Sequence, residues 1–270
     1  QSDQPPPACR YNAADQLDYQ ACLDASAPGT PWHMLSLINL GTQAYQQADF
    51  ARAVSFYDRA QPNDGTIMYS DASYHANYAA TLAQVGRDGD ALVQARAALA
   101  LIDNAPSLPA EVRRRAAGVP VDREGVYAAI VPVLHHARDP QADAAMRAYM
   151  ALPAQDWVSW ANRAAVFLEI GDYATALEAN GRALQLERRH PAVLNNQCYI
   201  LVQLARAGEA LPFCEGARAA APEVAAVRHS AASAYAALGR CAEAEAEIAA
   251  ARRLDPVTRE YAQPLTCTAR

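Results

Sequence analysis

The chain has no lysine; arginine supplies all 23 basic residues against 29 acidic ones. Its one basic run, Arg113-Arg114-Arg115, has no aromatic or further basic cluster around it. It therefore reads as a solvated helix face, and generic nucleic-acid binding is disfavoured. No run approaches the ~18 consecutive apolar residues of a membrane-crossing helix, so no transmembrane segment is expected. Glycine is scarce, at 12 of 270 residues, and alanine dominates, a bias toward helices over sheets. Catalytic signatures are missing too. The sequence holds no G-x-S-x-G, HExxH, P-loop, GxGxxG or EF-hand loop, and no cofactor is expected.

What remains is a chain that is 52% hydrophobic and 19% charged, an ordinary balance for a packed protein. Four segments resemble one another: 39–60, 77–99, 162–184 and 230–254. Each reads as an apolar helix, a short turn, and a second helix that opens on a small residue. Ala53, Ala91, Ala176, Ala210 and Ala244 align in the second helices, and the last three stand 34 residues apart, as do Ala183, Ala217 and Ala251. Small residues at fixed positions let two antiparallel helices approach closely, while Tyr57, Phe167, Leu201 and Tyr235 fill the space beside them. Gly86, Gly171 and Gly239 follow the first helices, where a left-handed C-cap favours a residue without Cβ. Thr30-Pro31, Asp139-Pro140, His190-Pro191 and Asp255-Pro256 punctuate helix starts, Pro being favoured at the first helical position after a capping residue.

With Trp160, Gly171-Asp172-Tyr173, Ala176 and Ala183 in register, the chain resembles the tetratricopeptide repeat family, in an exported bacterial-type form. The resemblance covers repeats near 34–67, 72–105, 157–190, 191–224 and 225–258. It implies an all-α, right-handed solenoid of antiparallel helix pairs, about six repeats with capped ends, whose concave groove is lined by the first helix of each pair. The expected organisation is a strap and capping helix over 1–30 (the helix at 11–24), two repeats over 31–105, and an irregular stretch over 106–156. Three repeats over 157–258 and a cap over 259–270, with one more helix interrupted at Pro264, complete it. The irregular stretch contains a short helix at 109–118 and a degenerate repeat at 121–153, with Pro132 expected to kink its first helix. It reads as a capping irregularity or as a functional loop.

Six cysteines allow fifteen pairings. No CxxC or zinc-finger offset occurs, and three local clusters suit disulfides in an oxidising compartment better than metal. In the resembled family the positions of Cys198 and Cys214 face each other across a helix pair, which implies one bond; two buried free thiols are the alternative. Cys241 with Cys267 would staple the terminal segment, and Cys9 with Cys22 the N-terminal one. The opening QSDQPPPAC reads as a mature terminus after signal-peptide removal, although a trimmed chain would look the same. The expected location is periplasmic or extracellular.

Asn39, Asn77, Asn162 and Asn196 occupy one repeat position, with Ser230 in the last repeat. In the resembled family this position faces the groove, and a carboxamide there offers donor and acceptor to an extended peptide backbone. The alternative is that these amides satisfy their own helix turns. Tyr45, Asn195, Tyr199 and His229 extend the expected lining, which is neutral, amide-rich and lightly aromatic. No basic residue stands in register to hold a carboxylate, so an acidic C-terminal tail is a poor ligand. The expected role is a non-catalytic scaffold binding a peptide or protein in the groove, as an assembly or adaptor subunit in the cell envelope. A structural subunit docked through the convex face or the 106–156 stretch is the alternative. A metal-dependent enzyme using His135 and His136 comes third, since neighbouring helical residues diverge by about 100°.

Overall fold

The recurring turn that joins each pair of helices holds its residue in the left-handed region. Ala48, Gly86, Gly171, Ala205 and Gly239 occupy one repeat position, with φ of 58°, 75°, 78°, 58° and 73°. The computed structural model describes residues 5–10, 16–60, 71–118, 121–154 and 156–267. Among these are fifteen α-helices and one short 3-10 helix, and no strand. The protein divides into two units, Gln1–Tyr149 and Met150–Arg270.

In the first unit, α1 (Tyr19–Ala25) packs on α2 (Pro31–Gln46), which pairs with α3 (Phe50–Ala60). The next pair is α4 (Ala72–Gln84) with α5 (Asp88–Ile102), followed by the short α6 (Ala110–Ala116). Then come α7 (Arg123–His136), packed on both α4 and α5, and α8 (Ala142–Ala151), whose last two residues belong to the second unit. The helix expected over 11–24 is shorter on the described residues: it starts at Tyr19, where the Asp18 carboxylate accepts from the Ala21 N–H at 2.9 Å. Residues 11–15 of that expectation lie outside the described residues. α7 runs through Pro132, which is itself buried among Ile130, Val131, Val133 and Leu134.

The second unit is the more regular. It pairs α9 (Trp157–Glu169) with α10 (Tyr173–Leu186), α11 (Pro191–Gln203) with α12 (Ala207–Ala220), and α13 (Ala225–Ala237) with α14 (Cys241–Leu254). A stub, α15 (Arg259–Ala262), follows. It stops before Gln263-Pro264 because a residue preceding proline is steered out of the helical region. The helix expected there is therefore cut to four residues. Thr30 and His190 cap helices whose first residue is Pro. Asp139 and Asp255 instead cap turns, accepting from Gln141 N–H at 2.8 Å and from Val257 N–H at 3.1 Å.

Two positions set the spacing inside every pair. In the first helices Gly41, Ala79, Ala164, Cys198 and Ala232 share one of them; the facing residues are Tyr57, Ala95, Asn180, Cys214 and Ile248. A Cβ on Gly41 would lie 2.8 Å from the Tyr57 ring, too close to tolerate without a shift. At the equivalent place Cys198 and Cys214 form a disulfide with a Cα separation of 4.9 Å, and both are essentially fully buried. The other bridges, Cys9–Cys22 and Cys241–Cys267, tie an outlying segment to α1 and α14 respectively.

Buried polar groups fix the register between neighbours. Arg163 is fully buried; its guanidinium donates to the carbonyls of Met150, Leu152 and Pro153 at 3.4, 2.8 and 3.4 Å. It thereby satisfies carbonyls of the segment that leads into α9, within the second unit. Glu247 of α14 accepts from Arg218 of α12 at 2.9 Å and from Arg228 of α13 at 2.8 Å. In the first unit Asp58 accepts from the Tyr78 hydroxyl and, at 2.8 Å, from Arg87. Burial pushes the neighbouring Tyr57 phenol up to about 12, so it stays a donor or acceptor, uncharged.

A residue with a Cβ costs roughly 1 kcal/mol in the left-handed region relative to glycine, less what glycine loses from a freer unfolded chain. Ala48→Gly and Ala205→Gly should therefore each raise stability by several tenths to about 1 kcal/mol, and Gly171→Ala should lower it by a similar amount. Urea melts would check this. Equal midpoints for Ala205→Gly, Gly171→Ala and the parent would refute the strained-turn account.

Candidate interaction surface

The residues singled out from the sequence fall on first helices, five of the eight in the second unit. In the first unit Asn39 is half-buried, and its amide donates to the Leu35 carbonyl at 2.9 Å, one turn back in its own helix. Ser230, at the same repeat position in the last repeat, does likewise to Ala226 at 3.0 Å. Those two members of the row thus serve their own helices. Tyr45 is half-buried with its ring 5.6 Å from Phe50, and Asn77 is half-buried.

In the second unit one member of the row, Asn162, opens to solvent. Asn162 of α9 is exposed and Asn196 of α11 is half-buried, one repeat apart on helices that touch. Asn195 is half-buried, yet its carboxamide oxygen is fully buried with no hydrogen-bond partner. Tyr199, one helical turn further on, is half-buried, and burial followed by the Glu260 carboxylate pushes its phenol pKa up. His229 of α13 occupies the same repeat position as Asn195. Its side chain is 12% exposed, its Nδ1 lies 3.8 Å from Glu260, and its ring centroid is 5.1 Å from that of Tyr261. Burial lowers the imidazole pKa, and Glu260 opposes that shift.

The histidine doublet lines an open depression with Arg138, Asp139, Pro140, Ala142 and Asp143. Its one buried carboxylate is already engaged. The Asp139 carboxylate, fully buried, pairs with Arg96 at 2.6 Å and caps Gln141. The rings of His135 and His136 stand 5.9 Å apart and inclined by 76°. Among the described residues no three His, Cys, Asp or Glu side chains converge as a metal site would require. None of the described helices is long and apolar enough to cross a membrane.

No family model and no curated protein matches the chain. Solved structures do. A tetratricopeptide repeat protein from Parabacteroides merdae is similar over 91% of this chain and 90% of its own, at 12% identity and a TM-score of 0.62. PilW, described as a widely conserved type IV pilus biogenesis factor, is similar over 86% of this chain and 98% of its own, at 13% identity and 0.59. PilF of Pseudomonas aeruginosa covers 85% of this chain and 95% of its own at 18% identity and 0.51.

The chain has the tetratricopeptide fold. Within that fold Glu260 and Tyr261 lie against His229, although the sequence points to 259–270 as a cap with one more helix and not as part of the lining. The signal was present: Arg259 stands 34 residues after Ala225, so α15 begins where another first helix would. Glu260 and Tyr261 accordingly meet His229 as the opening turn of a further repeat would.

The direction of the His229 shift gives a direct check. Its imidazole should titrate below the ordinary histidine value, and Glu260→Gln should lower it further, because the carboxylate favours the charged ring. Ring-proton NMR against pH reads both. A rise on Glu260→Gln would mean the carboxylate does not act on His229.

Proposed function

We propose that this protein is a non-catalytic interaction scaffold that holds an extended segment of a partner in the groove lined by its first helices. The observation that carries this reading is the pair Asn162 and Asn196. They are carboxamides one repeat apart on touching helices, Asn162 exposed and Asn196 half-buried, and neither is bonded to a turn of its own helix, whereas Asn39 and Ser230 are. A row of amides that can donate and accept suits the alternating N–H and C=O groups of an extended chain. The lining of the second unit is neutral to acidic, which fits a partner segment without an acidic tail.

The working environment we propose is oxidising, in the periplasm or outside the cell, where three disulfides persist. There the protein would act as an adaptor or assembly subunit of the cell envelope. PilW, whose description names a role in pilus biogenesis, shares the fold. A second reading, docking by another face, has one observation behind it. Leu186, Val224, Leu254 and Val257, at the ends of second helices and the loops beyond, are 54%, 46%, 38% and 85% exposed.

Asn162→Ala combined with Asn196→Ala should reduce the partners recovered from the host's envelope fraction while leaving the melting temperature within a degree or so, since surface changes away from caps and cores cost little. Quantitative affinity purification beside a thermal melt checks it. Undiminished recovery with the amides removed, and loss instead with Leu186→Ser and Val257→Ser, would move the interaction to the other face.

A further inference from the structure

Solvent reaches only one of the three disulfides. Cys9, Cys22, Cys198 and Cys214 are at most 1% exposed, whereas Cys241 and Cys267 are both half-buried. Disulfide exchange requires a thiolate to approach a sulfur, so access separates this bridge from the other two. Cys241 is also the first residue of α14, where free N–H groups and the helix dipole favour a thiolate. It is therefore the better leaving sulfur, and Cys267 the one to attack.

The segment that this bridge ties down has little else to hold it. None of residues 259–267 is buried, and α15, with four residues, is too short to stay helical on its own. Arg252 of α14 donates to the carbonyls of Tyr261 and Gln263 at 2.6 and 3.1 Å. Leu265 is partly buried against two clusters of the last helix pair, one with Tyr235 and Ala236, the other with Ala232, Ile248 and Ala251. The Tyr261 ring lies 5.1 Å from that of His229, and Glu260 lies 3.8 Å from its Nδ1. His229 shares the repeat position of Asn195, yet under this cover its side chain is only 12% exposed.

We propose that Cys241–Cys267 is a redox latch: a dithiol reductant opens it, residues 259–267 leave α13 and α14, and His229 joins the lining of the groove. This rests on the groove reading above and adds a regulation to it, since the oxidised protein keeps the last lining position covered. A thiolate of the reductant attacks Cys267 Sγ, the S–S bond breaks, and Cys241 leaves with the electron pair as a thiolate. The second thiol of the reductant then attacks the mixed disulfide and releases Cys267. The bridge gains two electrons and two protons, and the dithiol is oxidised to its own disulfide. The bridge between Cys198 and Cys214, sealed inside its helix pair, stays closed and keeps that pair intact.

The test uses the full oxidised chain under native conditions, with dithiothreitol as the dithiol, iodoacetamide to trap freed thiols, and peptide mapping. Cys241 and Cys267 should be trapped at least about tenfold faster than the four buried cysteines, which are reached only when their surroundings open. Once this bridge alone is reduced and alkylated, diethylpyrocarbonate should modify His229 severalfold faster than in the oxidised chain. Hydrogen exchange should lose protection at the amides of Tyr261 and Gln263, which donate to Thr258 and Glu260, and keep it in α9 to α12. Cys241→Ser with Cys267→Ser should reproduce the open state without reductant and increase the partners recovered from the envelope fraction.

Equal trapping rates at the three bridges, or a His229 rate unchanged by opening, would overturn the latch. So would equal partner recovery by the double serine variant and the parent when Asn162→Ala with Asn196→Ala reduces it; the groove reading would then stand without the latch. If the asparagine changes reduce nothing, the groove reading falls, and the trapping and His229 rates still decide whether the latch opens.

Discussion

The close approach of paired helices at one small-residue position is the constraint from which the rest follows. Gly41, Ala79, Ala164, Cys198 and Ala232 occupy it, and four of the five have a fully buried Ala or Cys side chain while the fifth has none. The facing residue varies from tyrosine to alanine, asparagine, cysteine and isoleucine, so the site tolerates change on one side only. Where both sides carry a thiol, the 4.9 Å Cα separation brings them within bonding reach. Once the two backbones are fixed at this distance, the second helices are packed from the first-helix side. The opposite face of each first helix is then free to carry side chains that the core does not need.

The same economy explains why polar groups are buried where they are. A solenoid lacks the long-range contacts of a closed core, so each interface must set its own register. Hydrophobic alanine surfaces slide easily; directional bonds do not. Arg163 on the carbonyls that end α8, Glu247 between Arg218 and Arg228, and Asn180 on Val193 and Gln197 each pin one interface. These groups hold helix ends and pairs in place, and the atoms that make these bonds are spent in doing so. That distinguishes them from Asn162 and Asn196, whose side chains are bonded to no turn of their own helices.

Much of this was legible in the sequence. The 34-residue spacing of Ala176, Ala210 and Ala244 carries the helix pairs, and Gly86, Gly171 and Gly239 carry the turns. What was hidden depended on partners far away in sequence. Ala48 and Ala205 take the left-handed turn without glycine, because the packed pair enforces the geometry against the local preference. Asp139 looked like a helix cap; only the position of Arg96, 43 residues away, shows its use. The capping helix starts at Tyr19 because Asp18 supplies the cap, a choice that the pattern over 11–24 did not single out. The row of asparagines was visible, but which members were spent on their own helices was not, since a rotamer decides it.

The account stands on partner contact through the first helices, and site-specific photocrosslinking measures that contact directly. A benzophenone side chain placed at Asn162 reports on the first-helix face of the second unit, and one at Glu178, on the exposed side of α10, reports on the second-helix face. In living cells of the native host, adducts to a partner protein should form from position 162 and not from position 178. Adducts formed from 178 alone would contradict the account.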